Sequence, residues 1–158
     1  MIIESNNTHI IYKYLTHQDL WPHIAEDGIS DYDFIPPTGS NIRWVFYVPE
    51  GEKELKGVIR VDIKNNTVFT FHVFMQKNHR EHKVKMIKEF YLEMFKGTTF
   101  KKALVEFPSF MGHLKQFAFD MGMSCEGIIS DCFMKGGELK GIEIMGISNK
   151  KALEVGAV

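Results

Sequence analysis

His72 is the one titratable side chain in the middle of the apolar run Thr67–Met75 (TVFTFHVFM), and an imidazole titrates near neutrality, the range that suits proton abstraction from a reacting group. Asp62, near the end of LKGVIRVDI, and Ser109, after the run KKALVEF, are the other single residues whose types allow proton transfer or nucleophilic attack. Directly after the His72 run, Gln76–Lys85 (QKNHREHKVK) gathers Lys77, Arg80, Lys83 and Lys85, a local concentration of cations suited to an anionic ligand. The same segment carries His79 and His82, which His113 could join, but a metal needs three or four convergent ligands and no carboxylate-rich partner segment at a recognised spacing is present. No Gly-x-Ser-x-Gly elbow and no Gly-x-x-x-x-Gly-Lys loop occurs. Cys125 and Cys132 are the only cysteines, too few for a metal quartet, and read as reduced, structural thiols.

These groups must be positioned by one domain, because 158 residues leave no room for a second independent core. A hydrophobic content of 44% with 25% charged residues excludes disordered and fibrous classes. A formal net charge of -1 without long single-sign blocks disfavours nucleic acid as a partner. No apolar run approaches a membrane span and the first residues lack a secretory pattern, so a cytoplasmic protein is expected.

The β-branched and aromatic Thr8–Leu15 (THIIYKYL) predicts a strand, and Gln18–Glu26 a helix capped by Thr16. The proline-punctuated stretch 31–40 predicts a loop. Asn41–Val48, Leu55–Ile63 and Thr67–Met75 then read as an antiparallel meander, with the third strand, apolar on both faces, at the centre of the sheet. Val84, Ile87, Tyr91 and Met94 make a helical stripe that Gly97 ends. Lys101–Phe107 follows as a crossover strand, parallel to the one before the helix. A second helix opens at Pro108-Ser109 and closes at Gly122, and Glu126–Lys135 with Glu138–Ile147 predict a hairpin about Gly136-Gly137. Ser148–Val158 reads as a surface tail, so the domain spans 1–148 with a tail at 149–158. Phe69, Phe71, Val73 and Met75 are expected on one face of the central strand with Phe74 opposite, and Phe90, Met94, Phe117 and Phe119 facing the sheet from the helices. Phe110, Met111, Met121 and Met123 remain for a ligand or partner cleft.

This element order, together with Gly122-Met123-Ser124-Cys125-Glu126-Gly127 after the second long helix and Val105-Glu106-Phe107-Pro108, resembles the GNAT superfamily of N-acetyltransferases over Ile10 to about Ile147. The resemblance implies an α+β fold: a mixed, mostly antiparallel sheet of six to seven strands, splayed in the middle, with helices on both faces. It implies an acetyl-CoA-dependent N-acyltransferase with an unidentified amine acceptor. The splay beside Phe74, Met75 and Gln76 would receive the pantetheine, and Arg80, Glu81, His82, Lys83 and Lys85 would occupy the diphosphate segment. His72 would be the catalytic base. The family's glycine-rich diphosphate motif has Glu81, Lys83 and Lys85 at its glycine positions here, and Ala118 stands where the family often has a tyrosine that acts as general acid for the departing thiolate. The chain also resembles GNAT-like proteins of tailed bacteriophages. That implies an alternative, non-catalytic role in head assembly or as a virion component, with phage structural proteins as partners, located in host cytoplasm or virion. Homo-oligomerisation is compatible with either role.

Overall fold

The computed structural model describes residues 1–158 as seven strands and five α-helices. The strands are β1 Ile2–Glu4, β2 Ile42–Tyr47, β3 Gly57–Ile63, β4 Val68–Phe74, β5 Lys102–Pro108, β6 Ser124–Lys135 and β7 Glu138–Ser148. The helices are α1 Thr8–Leu15, α2 Trp21–Ile24, α3 Lys83–Phe95, α4 Gly112–Asp120 and α5 Asn149–Gly156. All strands form one sheet in the order β1-β2-β3-β4-β5-β7-β6, so the doubly apolar β4 lies at its centre. The β4–β5 pair is parallel and every other pair antiparallel, because only the α3 crossover returns the chain in the same direction. The expected α+β architecture is present.

The central pair parts along its length. Register holds only from Val68 opposite Lys102 to Phe71 opposite Val105. Beyond that, His72–Phe74 stay paired with β3 and Glu106–Pro108 with β7. A gap therefore opens between β4 and β5 at their C-terminal ends.

Alternation along the strands sends side chains to two cores. Tyr47, Ile59, Phe69 and Phe71 meet Met86, Phe90, Tyr91 and Phe95 of α3 on one face, while Trp44, Phe46 and Val58 meet Ile11, Tyr14 and Leu15 of α1 on the other. The buried stripe of α3 is Met86, Ile87, Phe90, Tyr91, Met94 and Phe95. Val84 is 46% exposed, one position outside the stripe, and Phe119 faces solvent rather than the sheet.

Three expectations are corrected. Thr8–Leu15 is helix α1: Asn7 accepts the Ile10 N–H at 3.2 Å as an N-cap, and Ile11, Tyr14 and Leu15 recur at helical spacing to bury one face. That pattern outweighs the β propensity of its isoleucines and tyrosines. The following helix is the single turn Trp21–Ile24, with Pro22 in its second position. The terminal segment is no tail, since Asn149–Gly156 forms α5, capped by Ser148, with Ala152 fully buried.

Gly122 closes α4 at φ +86, and an added Cβ there would lie 2.9 Å from Val155 Cγ2 of α5. Gly122→Ala combines left-handed strain with a clash, so chemical denaturation should show a loss of about 1–3 kcal/mol. An unchanged midpoint would mean that α5 shifts freely.

Candidate active site

A cavity of about 420 Å³ runs through the gap between β4 and β5. Its polar residues lie toward its ends. On the α3–α4 side, Arg80 and Lys83 line the mouth; on the α1 side are His23, His72 and Glu106, and the stretch between is apolar, with Phe71, Val73, Val105 and Leu114. Leu20, Ile24 and Phe133 close the α1 side.

His72 stands on the α1 face of β4, in register with Arg60 of β3 and stacked on Phe74 with the rings 6.5 Å apart. Its Nε2 is 3.8 Å from Asp62 Oδ2. The other Asp62 oxygen accepts from Arg60 Nη2 at 2.8 Å and Nε at 3.2 Å. The carboxylate is thus fixed between a permanent cation and an imidazole. Burial outweighs the attraction of Asp62 and holds the His72 pKa below its ordinary 6.5, so at neutral pH the ring is an unprotonated acceptor.

Lys83 opens α3 and places Nζ 3.9 Å from the centroid of the Phe117 ring of α4. Burial and, second, the Arg80 charge lower its pKa. Phe74 and Met75 also line the cavity. Gln76, Glu81, His82 and Lys85 do not: Glu81 and Lys85 are exposed, and His82 Nε2 lies 3.5 Å from Glu81.

Gln76 instead ties the loop down. Its Nε2 donates to Tyr14 O at 3.3 Å and its N–H to the Tyr14 hydroxyl at 3.2 Å. That hydroxyl donates to Lys56 O at 2.9 Å and lies 3.2 Å from Nδ1 of the buried His79. The other ring nitrogen of His79, Nε2, lies 3.6 Å from Glu54 Oε1. Burial raises the Tyr14 pKa to about 12. This buried network fixes the loop next to Arg80.

The loop itself is a 3-10 helix, Lys77–His82, that runs into α3 without a break: the His79 N–H donates to Gln76 O and the Lys83 N–H to Arg80 O. Amides that a glycine loop would turn outward are directed along the chain. A diphosphate would therefore meet the side chains of Arg80 and Lys83 rather than a backbone cradle. The apolar gap does suit a slender, uncharged arm. His79, His82 and His113 do not converge into a metal-ligand set.

The α1 side of the cavity is roofed by a clasp between segments more than 100 residues apart. Asp27 N–H donates to Met134 O at 3.2 Å, and Met134 N–H to Glu26 Oε2 at 3.3 Å. Lys135 Nζ donates to Pro22 O at 2.8 Å and Ala25 O at 2.7 Å, and Gly137 N–H to Asp27 Oδ2 at 2.8 Å. The last bond is the main reason that the Asp27 pKa is lowered. Asp27→Ala should speed amide hydrogen exchange at Gly137 and Met134; unchanged exchange would mean that the hairpin tip is held without Asp27.

The sequence singled out His72, Phe74, Met75, Arg80 and Lys83, and the fold brings them to one cavity. It missed Glu106, His23 and the Leu20–Ile24 wall. Glu106 carried a signal, as the one acidic residue of the apolar strand Lys101–Phe107.

A seven-stranded sheet parted at its parallel centre, with an apolar passage through the gap, defines the GNAT acetyltransferase fold. Among solved structures, the spermidine N-acetyltransferase from Vibrio cholerae in complex with CoA and spermine matches 97% of this chain over 97% of its own, with TM-score 0.78 and 13% identity. A chimera of that Vibrio cholerae enzyme with hSSAT matches 98% of each chain, with TM-score 0.75 and 11% identity. No family model and no curated protein matches the sequence.

Proposed function

We propose that this chain is an acyl-CoA-dependent N-acyltransferase acting on a cationic amine. The observation that carries the reading is the passage through the sheet, cationic at one mouth and furnished at the other with a neutral imidazole backed by a carboxylate. Acyl-CoA, when bound, supplies an activated thioester: the amine nitrogen bonds to the acyl carbon as the carbon–sulfur bond breaks and CoA leaves as the thiolate. Arg80 and Lys83 hold the phosphates by charge, in place of backbone amides. The apolar walls exclude water that would compete with the amine. Glu106 attracts an ammonium group to the α1 side, and His72, backed by Asp62, accepts the proton that the amine must lose. Asp62 then steadies the imidazolium. With Ala118 offering no hydroxyl, the departing thiolate takes its proton from solvent. Because the structural neighbour in complex with spermine is a spermidine acetyltransferase, polyamines are the first acceptors to try.

Calorimetric titration of CoA into the protein tests the reading. Micromolar binding, with thiol release on addition of acyl-CoA and a polyamine, is expected; no heat at millimolar ligand would overturn it. No feature of this fold supports the head-assembly or virion role.

A further inference from the structure

The cavity has an end that the transfer of an acetyl group does not need. On the α3–α4 side it is walled by Ile87 and Tyr91 of α3, Ala118 and Met121 of α4, and Met123, over Phe71 of the sheet. Each of these is less than 7% exposed. The single polar side-chain atom among them, the Tyr91 hydroxyl, donates to Met121 O at 3.3 Å. None of these six side chains keeps a donor for a ligand, although Arg80 and Lys83 at the mouth and His113 of α4 also line the cavity. An ammonium group or a chain of waters would lose its hydrogen bonds here, whereas hydrocarbon would lose none.

The shape of this end follows from α4. Phe117 lines the cavity beside Lys83 and Phe119 faces solvent, so at the buried position between them the wall is only the methyl group of Ala118. Two methionines complete the wall, and their unbranched thioethers repack around an inserted chain at little cost. His72 and Glu106 lie on the opposite face of the sheet, so the space is out of the acceptor's reach and adjoins the gap where a thioester would sit.

We propose that this end of the cavity is an acyl-chain pocket, and that the donor carries a medium-chain hydrocarbon acyl group in place of acetyl. The inference rests on the acyl-CoA reading above. The bonds made and broken are unchanged: carbon–nitrogen forms, carbon–sulfur breaks, and the amine proton goes to His72.

Titration calorimetry with CoA, acetyl-CoA and octanoyl-CoA, each below its micellar concentration, tests the pocket. Octanoyl-CoA should bind at least about tenfold more tightly than acetyl-CoA, a ratio that two buried methylenes already supply. Ala118→Leu should bring that ratio to within about twofold, and Ala118→Val, a smaller filler for use if the leucine variant does not fold, should reduce it in the same direction. Equal affinity for the two thioesters in the wild type, or a ratio that survives filling, would overturn the pocket while leaving the acyltransferase reading in place. Failure of every CoA derivative to bind would overturn both. Free octanoate binding as tightly as octanoyl-CoA would show a lipid site unrelated to a thioester, and would overturn the proposal as stated.

Discussion

Arg80→Ala weakens CoA binding by about tenfold to a hundredfold, the expected result when a charge-assisted contact worth about 1.5–3 kcal/mol is lost. The size of the effect follows from the loop. With its amides directed along the 3-10 helix, phosphate recognition falls to the Arg80 and Lys83 side chains, and losing one removes a large share of it. Binding should accordingly weaken steeply as salt is raised. Glu81→Gln should act in the opposite direction, because it removes an exposed negative charge beside Arg80. Calorimetry at two ionic strengths reads all three effects. An unchanged affinity in Arg80→Ala would place the phosphates elsewhere.

His72→Ala lowers kcat/KM by about a hundredfold to ten-thousandfold, the range of a lost general base. The pH profile separates this from a structural effect. Burial holds the folded pKa below 6.5, so wild-type activity should be flat around neutrality and fall only as pH drops through that lower value. Asp62→Asn removes the charge that raises this pKa and should move the acid limb to still lower pH. In His72→Ala the limb should vanish. The same shift enters stability: a histidine depressed in the folded state favours folding above its unfolded pKa, and that contribution is lost as pH falls through the folded one. If the alanine variant folds and keeps both its rate and its acid limb, the base is another group.

The centre of the sheet was legible in the sequence because it depends on local pattern. TVFTFHVFM shows apolar residues on both faces, α3 repeats every three to four residues, and Gly136-Gly137 marks a turn. From these follow β4, the crossover, the parallel β5 and the hairpin, and with them His72, Arg80 and Lys83 at one site. The first helix was misread because its β-branched and aromatic residues favour a strand, and the Asn7 cap is visible only once the chain is folded. The α1-side wall was illegible for a different reason. His23 and Ile24 reach the cavity because Lys135 and Gly137, more than 100 positions later, pin their segment in place, and no local pattern encodes so distant a bond. The buried set of Tyr14, Gln76 and His79 was hidden likewise, since each residue alone passes for a surface polar group.

The parting of β4 from β5 has a mechanical meaning. The sheet is two antiparallel plates, β1-β2-β3-β4 and β5-β7-β6, joined in the plane by a seam only four residue pairs long. So short a seam lets the two plates flex about it. A ligand seated across it acts as a strut in place of the missing rungs, so filling the site and stiffening the scaffold are one event, and release requires the plates to flex apart again.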